Sequence, residues 1–476
     1  MLIHLQRKGR GSPTARRTRL WPVVLALLLA GSPSPTHAQR ALLERFIQHR
    51  VLPNGLEVIV VENHGVPLVT VEAVVKNGSF TQSPDFEGLA HVYEHMFFKA
   101  NDAFPDPDGV MARAADLGAI FNAETHEEEV NYYLTLPADS LIPGLQLLSA
   151  ALQTPRFDAA ELAAEKTVVL GEYDRAEAEP FWHLDQAMAK ALWGDAFSRK
   201  NTIGNRDVVA HVTPEQMREI QRRYYVPNNS AIIIAGDIMP ARVFLIAERL
   251  FGGWAKADDP FTAAPIPPVP PLRHDTAVVV EQNVSNVTVM IQWQGPSVRS
   301  DPHATFVADV FSDYLNLDGS EFKRRLVDSG LWQDVIVNYY TLDHVGPITI
   351  SGQTERGRMR EAIPAMLREL RRVTEPGYFT TAKLEEVKAH RTTDSAFGRE
   401  RTSGFAHVLG FWWSVAGLNY YMDYADEMAR QQPASLVDYA TKYIIGKPHV
   451  IGALLNGTDR GAIGLTTSEL RRLGTW

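Results

Sequence analysis

Short apolar and β-branched runs predict strands near the start of the chain. A turn at residues 52–55 (Leu-Pro-Asn-Gly) precedes the first run, 56–61, and a second turn at 64–67 precedes the run 68–75. Because only a short turn joins these two runs, we expect them to form an antiparallel pair. A later apolar run, 232–235, is closed by Gly236-Asp237 and predicts a buried strand.

Helical periodicity follows the first two runs. Ser83 and Asp85 are residues typical of a helix start, and apolar residues then recur at helical spacing, at Leu89, Val92 and Met96. Residues 121–136 are again β-rich. Residues 159–178 are strong helix formers and end before Pro180. The first half therefore mixes strands with helices.

A cluster of prolines interrupts the middle of the chain, at Pro260, Pro265, Pro267, Pro268, Pro270 and Pro271. Such a segment should hold neither a helix nor a central strand, so we expect a stiff extended linker at 259–272 between domains 39–258 and 273–476. The runs 278–280, 287–293 and 450–455 repeat the order of the first-half strands. Two related domains of the α+β class are the simpler interpretation, and two unrelated domains are the alternative.

The N-terminus has the features of a signal peptide. A basic region without acidic residues, an apolar run at 20–30 and the sequence Thr36-His37-Ala38 predict cleavage after Ala38, giving a signal peptide at 1–38. An uncleaved anchor, a mitochondrial transit peptide and a twin-arginine signal at Arg16-Arg17 remain alternatives. The expected location is the periplasm.

Charge and cysteine content limit the possible chemistry. The chain has 47 basic and 56 acidic residues, and loss of the six basic residues before position 39 would lower the net charge from −9 to −15. Such an acidic chain is a poor candidate for binding nucleic acid. It has no cysteine, which excludes disulfides and thiol catalysis. Any metal must be held by histidines and carboxylates.

One motif on the first predicted helix has metal-ligand spacing. His91 and His95 are four residues apart and share a helix face, so both imidazoles can reach one ion. Glu94 lies on nearly the same face and can take a proton from water beside the metal. This H-x-x-E-H order is the inverse of the H-E-x-x-H zinc motif. The alternative is an amphipathic helix with polar residues on its solvent face.

A third ligand should come from the acidic helix at 159–178. Glu165 and Glu172 are seven residues apart, which places them on one face about 10.5 Å from each other at about 1.5 Å per residue. Both cannot bind one ion in a straight helix. One of them should be the ligand and the other should support a ligand.

These residues resemble the pitrilysin/insulinase family of inverted-motif zinc peptidases, in particular its short-chain branch, which is typified by mitochondrial processing peptidase and its bacterial relatives. In that family H-x-x-E-H is followed by a glutamate ligand after a gap of about 76 residues, and residues 96–171 separate His95 from Glu172. The resemblance implies that Glu172 is the third zinc ligand, that Glu165 supports the site and that Glu94 is the catalytic base. It also implies one Zn²⁺ per chain.

Further segments are similar to the same family. They are Leu52-Pro53-Asn54-Gly55-Leu56, Gly88-Leu89-Ala90-His91, Asn122-Ala123-Glu124-Thr125, Tyr224-Tyr225-Val226-Pro227-Asn228-Asn229 and Ala235-Gly236-Asp237. The resemblance implies a half-clamshell fold of two related domains, with a metal-free second domain. It also implies that a peptide substrate pairs with the edge strand at Asn122 and Ala123. The alternative for Asn122 is a turn residue, and Tyr132 is expected to serve packing.

One departure concerns substrate holding in the second domain. Active family members commonly place an Arg and a Tyr in a stretch of the type arginine, a few residues, Gly-Leu, Tyr. The matching stretch here is 325–333, where the Tyr position falls on Trp332 or Gln333 and no alignment restores the pair. Arg325 is then expected to be a solvated helix charge.

The sequence thus predicts a zinc-dependent endopeptidase. A chain of this length resembles half of the family's chamber, so we expect a homodimer, or a heterodimer with a zinc-less subunit that supplies the Arg/Tyr pair. The rival interpretations are a non-catalytic peptide-binding or assembly subunit and a zinc-binding scaffold without turnover.

Overall fold

The strands form two sheets in a computed structural model of the protein, which describes residues 38–476. The first sheet contains β1 (Ile47–Val51), β2 (Glu57–Glu62), β3 (Leu68–Val75), β4 (Ile120–Thr125), β5 (Val130–Pro137) and β6 (Ser230–Gly236). The second contains β7 (Thr276–Glu281), β8 (Val287–Gln294), β9 (Asp334–Tyr339), β10 (Pro347–Thr354) and β11 (Val450–Leu455).

Helices connect and cover these sheets. In the first half they are α1 (Ala38–Leu43), α2 (Leu89–Phe97), α3 (Gly109–Asp116), α4 (Leu141–Gln153), α5 (Ala159–Ala178), α6 (Pro180–Trp193), α7 (Arg206–Ala210), α8 (Pro214–Tyr224), α9 (Pro240–Phe251) and α10 (Pro260–Ala263). In the second half they are α11 (Pro302–Asn316), α12 (Glu321–Lys323), α13 (Met359–Arg372), α14 (Thr381–Gly398), α15 (Thr402–Val415), α16 (Leu418–Ala429), α17 (Pro433–Tyr443), α18 (Gly457–Ile463) and α19 (Thr467–Leu473).

The two sheets repeat one topology. The strand orders are β1-β2-β6-β3-β5-β4 and β7-β11-β8-β10-β9, so each strand from β2 to β6 has a counterpart in the second sheet. The parallel pairs also correspond, because β2 runs parallel to β6 and β7 runs parallel to β11, whereas the other pairs are antiparallel. This confirms the predicted α+β fold of two related, mainly antiparallel sheets packed with helices.

The predicted pairing of the first two strands is wrong. β2 and β3 have the expected positions, but β6 lies between them and pairs with both. The physical reason lies in burial: every residue of β6 is buried, and a fully apolar strand is best placed at the centre of a sheet. Sequence proximity favoured a hairpin, and the burial of β6 overrode it.

The metal-motif helix begins later than predicted. Residues Pro84–Phe86 form a separate 3₁₀ turn, and α2 starts only at Leu89. Gly88 separates the two with φ of 94°, a left-handed conformation that glycine adopts most easily. A Cβ at Gly88 would also lie 2.7 Å from Gly204 Cα, so the close backbone approach requires glycine there.

Each sheet is covered on one face by a helix from the other half of the chain. Helix α15 packs on β3 and β6, where Leu409 and Trp413 join the same apolar cluster as Ile233. Helix α6 packs on β7 and β11, where Leu184 and Met188 contact the second sheet. The two halves therefore complete each other's cores.

The proline cluster is not wholly extended. Pro260–Ala263 forms the short helix α10, with Pro260 in its first turn and Asp259 accepting hydrogen bonds from Phe261 N and Thr262 N at 2.8 Å each. Proline is tolerated in a first helical turn because its missing N–H would have no helical partner there. Residues 264–275 contain no helix or strand. The boundary at 259–272 stays a prediction.

The predicted signal peptide lies outside the described residues, except for Ala38 at the start of α1. Within residues 38–476, no helix is both long enough and apolar enough to cross a membrane.

Leu409→Ala should reveal how much the exchanged helix α15 contributes to stability. Leu409 is fully buried, so its truncation should lower the free energy of unfolding by about 2–5 kcal/mol. Urea unfolding at equilibrium measures this change. Leu245→Ala is the matched control, because Leu245 is 68% exposed on α9 and should change stability by less than about 0.5 kcal/mol. Equal effects of both substitutions would show that α15 is dispensable for the first sheet.

Candidate metal centre

Helix α2 presents two histidines on one face and packs its opposite face into the core. Leu89, Val92 and Met96 are buried beneath the helix, with exposures of at most 1%. His91 and His95 lie one turn apart on the other face, with ring centroids 5.0 Å apart. Their side chains are only 16% and 15% exposed. The helix thus holds both imidazoles at a partly enclosed surface.

Helix α5 brings a carboxylate to these imidazoles. Asp158 caps the helix by accepting from Ala160 N at 2.8 Å, and α5 packs on α2. Glu172 Oε2 lies 3.3 Å from His91 Nε2 and 3.5 Å from His95 Nε2. The three side chains offer ligand atoms that all lie within 4.8 Å of one another, and no other such group of three occurs among the described residues.

The spacing of these atoms fits a tetrahedral metal ion. Two atoms that each lie about 2.0–2.1 Å from a tetrahedral zinc ion are separated by about 3.4 Å. The measured separations of 3.3 and 3.5 Å match this value. All three atoms are electron-pair donors, so they repel one another unless a proton or a metal ion lies between them. The proximity of His91 also lowers the pKa of the Glu172 carboxyl, which favours its ionised form.

Glu165 orients one of the histidines. Its Oε2 lies 3.1 Å from His95 Nδ1, and its Oε1 lies 2.6 Å from Lys99 Nζ. A carboxylate accepts hydrogen bonds, so His95 Nδ1 carries the proton and the lone pair of Nε2 points toward Glu172. His91 Nδ1 is buried without a hydrogen-bond partner in the described chain. The structure thus separates Glu165 from Glu172 as the two-turn spacing requires.

Glu94 lies on α2 between the two histidines and contacts the sheet. Thr125 Oγ1, at the end of β4, donates a hydrogen bond to Glu94 Oε2 at 2.7 Å. Thr125 ends the family-like segment Asn122-Ala123-Glu124-Thr125, but no role was predicted for it from the sequence. Its position two residues after Ala123 puts both side chains on one face of the strand, and this spacing could have indicated it.

Strand β4 forms an edge of the first sheet. It pairs with β5 on one side and has no strand on the other. Asn122 and Ala123 lie opposite Tyr133 and Tyr132, and side chains alternate between exposed and half-buried along the strand. Its outer backbone groups are thus available for another strand. Tyr132 is fully buried and stacks on Phe97 at 3.6 Å, which confirms its predicted packing role.

The stretch at 325–333 offers no substrate-holding pair. Trp332 is 2% exposed, and Gln333 Oε1 accepts a hydrogen bond from Asn286 Nδ2 at 2.9 Å. Arg325 was expected to be a solvated helix charge; it is half exposed and lies 3.2 Å from Glu321 and 3.6 Å from Glu369. It is thus a partly paired surface charge, in a π-helical turn at Arg324–Asp328.

The second half has a counterpart of this centre. Helices α11 and α14 follow β8 and β10 as α2 and α5 follow β3 and β5. Asp309 and Asp313 occupy α11 four residues apart, and Arg391 on α14 lies 78 residues after Asp313, whereas Glu172 lies 77 residues after His95. Arg391 Nε donates to Asp313 Oδ2 at 2.5 Å, and its Nη1 lies 3.7 Å from Asp309 Oδ2. A guanidinium thus lies where the first half gathers ligand atoms.

Comparisons with known proteins identify the same architecture. Residues 57–205 match the family model described as insulinase (peptidase family M16), and residues 211–390 match the model described as peptidase M16 inactive domain. The zinc protease PqqE of Helicobacter pylori is 23% identical over 444 residues, which cover 88% of this chain and 91% of that protein.

Alignments to two other curated relatives cover a smaller part of the relative. The probable zinc protease PqqL of Escherichia coli is 25% identical over 357 residues, 72% of this chain and 38% of that protein. Subunit beta of the mitochondrial-processing peptidase of Dictyostelium discoideum is 28% identical over 188 residues, 39% of this chain and 40% of that protein. The alignments thus span about two fifths of these two relatives.

Solved structures share the fold. A protease from Helicobacter pylori superposes with a TM-score of 0.76 at 20% identity, covering 86% of this chain and 99% of that chain. The periplasmic protease PqqL from Escherichia coli superposes with a TM-score of 0.73 at 18% identity, covering 90% of this chain and 49% of that chain. These likenesses concern the fold, and the two matched models, which together cover more than half of the chain, show that the chain belongs to the insulinase family of peptidases, family M16.

Proposed function

We propose that this protein is a zinc-dependent endopeptidase that hydrolyses peptides or unfolded polypeptides. The observation that carries the proposal is the meeting of His91, His95 and Glu172 with the atom spacing of a tetrahedral zinc site. Relatives described as zinc proteases support it.

The donor set suits zinc. His91 Nε2, His95 Nε2 and Glu172 Oε2 would supply three protein ligands and leave one position open, which is the pattern of catalytic zinc sites. When bound, zinc polarises a scissile carbonyl and acidifies water at the open position. We propose one Zn²⁺ per chain, because Arg391 places a fixed positive charge at the corresponding position of the second half.

Glu94 would act as general base and then as general acid. Its carboxylate takes a proton from the attacking water while the water oxygen bonds to the scissile carbonyl carbon. As the carbon–nitrogen bond breaks, Glu94 delivers that proton to the leaving amine. The hydrogen bond from Thr125 leaves Oε1 of Glu94 available for this transfer.

The open edge of β4 would bind the substrate backbone. A peptide that adds as a strand beside Asn122 and Ala123 gains main-chain hydrogen bonds whatever its sequence. Unfolded segments can adopt this extended conformation, and folded domains cannot present it without local unfolding. The proposed substrate class follows from this requirement.

The missing Arg/Tyr pair favours one alternative, a non-catalytic subunit that binds peptides or supports assembly. A zinc-binding scaffold without turnover is the other rival. Metal analysis combined with a quenched-peptide assay, with and without chelator, separates the three. Hydrolysis that chelator removes and zinc restores supports the peptidase, whereas stoichiometric zinc without hydrolysis supports the scaffold.

We further propose that the active form is a dimer. The chain covers 49% of the PqqL structure and 96% of the structure of its first half, so a second chain would supply the other half of such an assembly. The partner would be a second copy or a zinc-less subunit that carries the Arg/Tyr pair. Full activity from a purified monomer would contradict this proposal.

The proposed location is the periplasm. The basic and apolar N-terminus has signal-peptide features, and PqqL of Escherichia coli, which shares the fold, is a periplasmic protease. N-terminal sequencing of exported protein that began before residue 39 would contradict cleavage after Ala38.

Substitutions on α5 should separate the ligand from its support. Glu172→Ala should abolish stoichiometric zinc binding, because two imidazoles remain. Glu165→Gln should weaken zinc binding by about 10–100-fold, because it loosens His95. Zinc titration with a competing chelator measures both. Glu179→Gln is the matched control, seven residues beyond Glu172 and exposed, and it should bind zinc normally. Stoichiometric zinc in Glu172→Ala would place the third ligand elsewhere.

Glu94→Gln should retain zinc and lose peptide hydrolysis. The amide cannot accept the proton of water, so kcat should fall by at least about 100-fold. Quenched-peptide kinetics and metal analysis on the same preparation give the two readouts. Hydrolysis close to that of the unmodified protein would exclude Glu94 as the base.

The same variant allows peptide binding to be measured without turnover. Methylation of alternate backbone nitrogens in the peptide should weaken binding by about 2–10-fold per site, because each methyl removes one main-chain hydrogen bond. Methylation of the intervening nitrogens should have little effect. A loss of affinity that does not alternate between successive backbone nitrogens would contradict strand addition.

A further inference from the structure

The second half of the chain contacts the turn that follows β4, and Thr125 at the end of β4 donates a hydrogen bond to Glu94. This inference rests on the proposed function, because it assigns a role in orienting the proposed base. Helix α2 fixes the backbone of Glu94, but a glutamate side chain retains several rotatable bonds. The hydrogen bond from Thr125 at 2.7 Å restrains the carboxylate itself. The position of Thr125 thus matters for the direction in which Glu94 points.

Thr125 lies at the end of an edge strand. It is the last residue of β4, and among residues 38–476 β4 has a neighbouring strand on one side only. The chain then turns through residues 126–129 into β5, with His126 N donating to Glu129 O at 2.8 Å. Because one neighbour restrains an edge strand less than two, the attachment of this turn decides how firmly Thr125 is held.

The first half attaches the turn through its backbone. Phe80 N donates to Glu127 O at 2.9 Å, and Ser79 N donates to His126 O at 3.3 Å. These bonds fix the turn along one side, and the side chains of Glu128 and Glu129 contact the second half directly.

Glu128 docks directly on the second half. Its side chain is 2% exposed and accepts from Asp343 N at 2.6 Å and from His344 N at 2.9 Å. His344 Nδ1 lies 2.8 Å from Glu128 Oε1. Burial alone would raise the pKa of the Glu128 carboxyl, but the hydrogen bonds from His344 hold it below its usual value. Glu128 is therefore a buried anion whose donors all come from residues 343–344.

Glu127 and Glu129, on either side of Glu128, also link the turn to the second half. Lys200 Nζ donates to Glu127 Oε2 at 2.8 Å and to Val345 O at 2.7 Å, and so bridges the turn to the same segment. Ser414 on α15 donates to Glu129 Oε2 at 3.1 Å. Burial raises the pKa of the Glu129 carboxyl to about 8, so the ionised member of the three that contacts the second half directly is Glu128. A buried anion that loses its donors is strongly unfavourable, so the contacts of Glu128 keep the turn and the second half together.

We propose that Glu128 is a positioning residue for catalysis, which anchors the turn 126–129 on the second half and thereby aims Glu94 through Thr125. Glu128 acts at a distance from the metal ligands and touches no reacting atom. The second half thus contributes to the reaction without contributing a metal ligand.

The first test isolates the hydroxyl of Thr125. Thr125→Val keeps the shape of the side chain and removes the donor, so kcat should fall by roughly 10–100-fold while KM and zinc content stay the same. Thr125→Ser restores the hydroxyl and should recover most of kcat. An unchanged kcat in Thr125→Val would overturn the proposal, because no path from Glu128 to Glu94 would remain.

The second test compares two buried glutamates that contact the second half. Glu128→Gln places an amide against backbone donors and should lower kcat by about 3–10-fold without changing zinc content. Glu72→Gln is the matched control, because Glu72 is fully buried and lies 2.6 Å from His407 Nδ1 on α15, but it lies on β3 and outside the turn 126–129. Its kcat should stay within about twofold. Equal losses of kcat in both variants would indicate general destabilisation and overturn the proposal.

Combining the substitutions tests whether Glu128 acts through Thr125. In a Thr125→Val background, Glu128→Gln should change kcat by less than about twofold, because the hydrogen bond it supports is already absent. If the fold-loss of kcat in the double variant equalled the product of the two single fold-losses, the proposed route through Thr125 would be overturned. If Glu128→Gln does not fold, His344→Ala removes one donor from the same carboxylate and should give the same pattern with a smaller loss.

Hydrogen exchange of the metal-free protein gives a readout that does not depend on activity. Glu128→Gln should speed exchange of the amides at 120–127 by at least about fivefold relative to Glu72→Gln. Exchange that is equally fast in both variants would overturn the anchoring role. If the unmodified protein shows no hydrolysis but this exchange pattern appears, the proposed function fails while the anchoring of β4 stands.

Discussion

The packing of α5 on α2 is the contact on which the candidate site depends. It brings two imidazole nitrogens and one carboxylate oxygen to separations of 3.3 and 3.5 Å. Such an arrangement of electron-pair donors is unfavourable unless a proton or a metal ion lies among them, and the three side chains together offer the ligand set of a zinc site. The buried apolar face of α2 and the cap at Asp158 keep both helices in place against this repulsion.

The second half places a charged side chain, Arg391, between its two corresponding helices. At the corresponding position, Arg391 lies between Asp309 and Asp313, and its Nη1 donates to Tyr424 OH at 2.7 Å. Burial disfavours the charged guanidinium, but the surrounding phenol and carboxylates raise its pKa and keep it charged. A covalently attached cation cannot leave and has no open coordination position. Both halves thus retain the helix packing, and the second half places a guanidinium rather than a group of three ligand atoms between the two helices.

Local sequence pattern predicted the helices that carry the candidate site. It did not predict the strand order or the helices that cover the sheets, because these depend on long-range packing. The spacing of His91 and His95 and the uninterrupted helix at 159–178 follow from residues near one another in sequence, so the two histidines and the pair Glu165 and Glu172 could be named. The family resemblance, not the spacing, selected Glu172 as the third ligand. The insertion of β6 between β2 and β3 depends on a strand more than 150 residues away, which no local turn signal encodes. Hydrophobic periodicity likewise does not predict that α6 packs on the second sheet and α15 on the first. The segment Asn122-Ala123-Glu124-Thr125 was identified, but the contact of Thr125 with Glu94 was not predicted, because a threonine on a strand has an ordinary β-propensity and its partner is distant in sequence.

The corresponding edge strands β4 and β9 differ in whether a side chain occupies their outer backbone groups. In the second sheet, Asn316 at the end of α11 donates to Val337 O at 2.7 Å and accepts from Val337 N at 2.9 Å, so a side chain occupies the outer backbone groups of β9. An incoming strand would have to displace this bidentate contact, whereas in β4 the hydrogen bond from Thr125 to Glu94 joins two side chains and does not occupy the backbone of the strand. The outer backbone groups of β4 are thus open beside the candidate metal ligands, and those of Val337 in β9 are occupied. The second half also covers the first sheet with α15 and contacts the turn that follows β4 through Glu128, so it supports the candidate site without contributing one of the three candidate ligands.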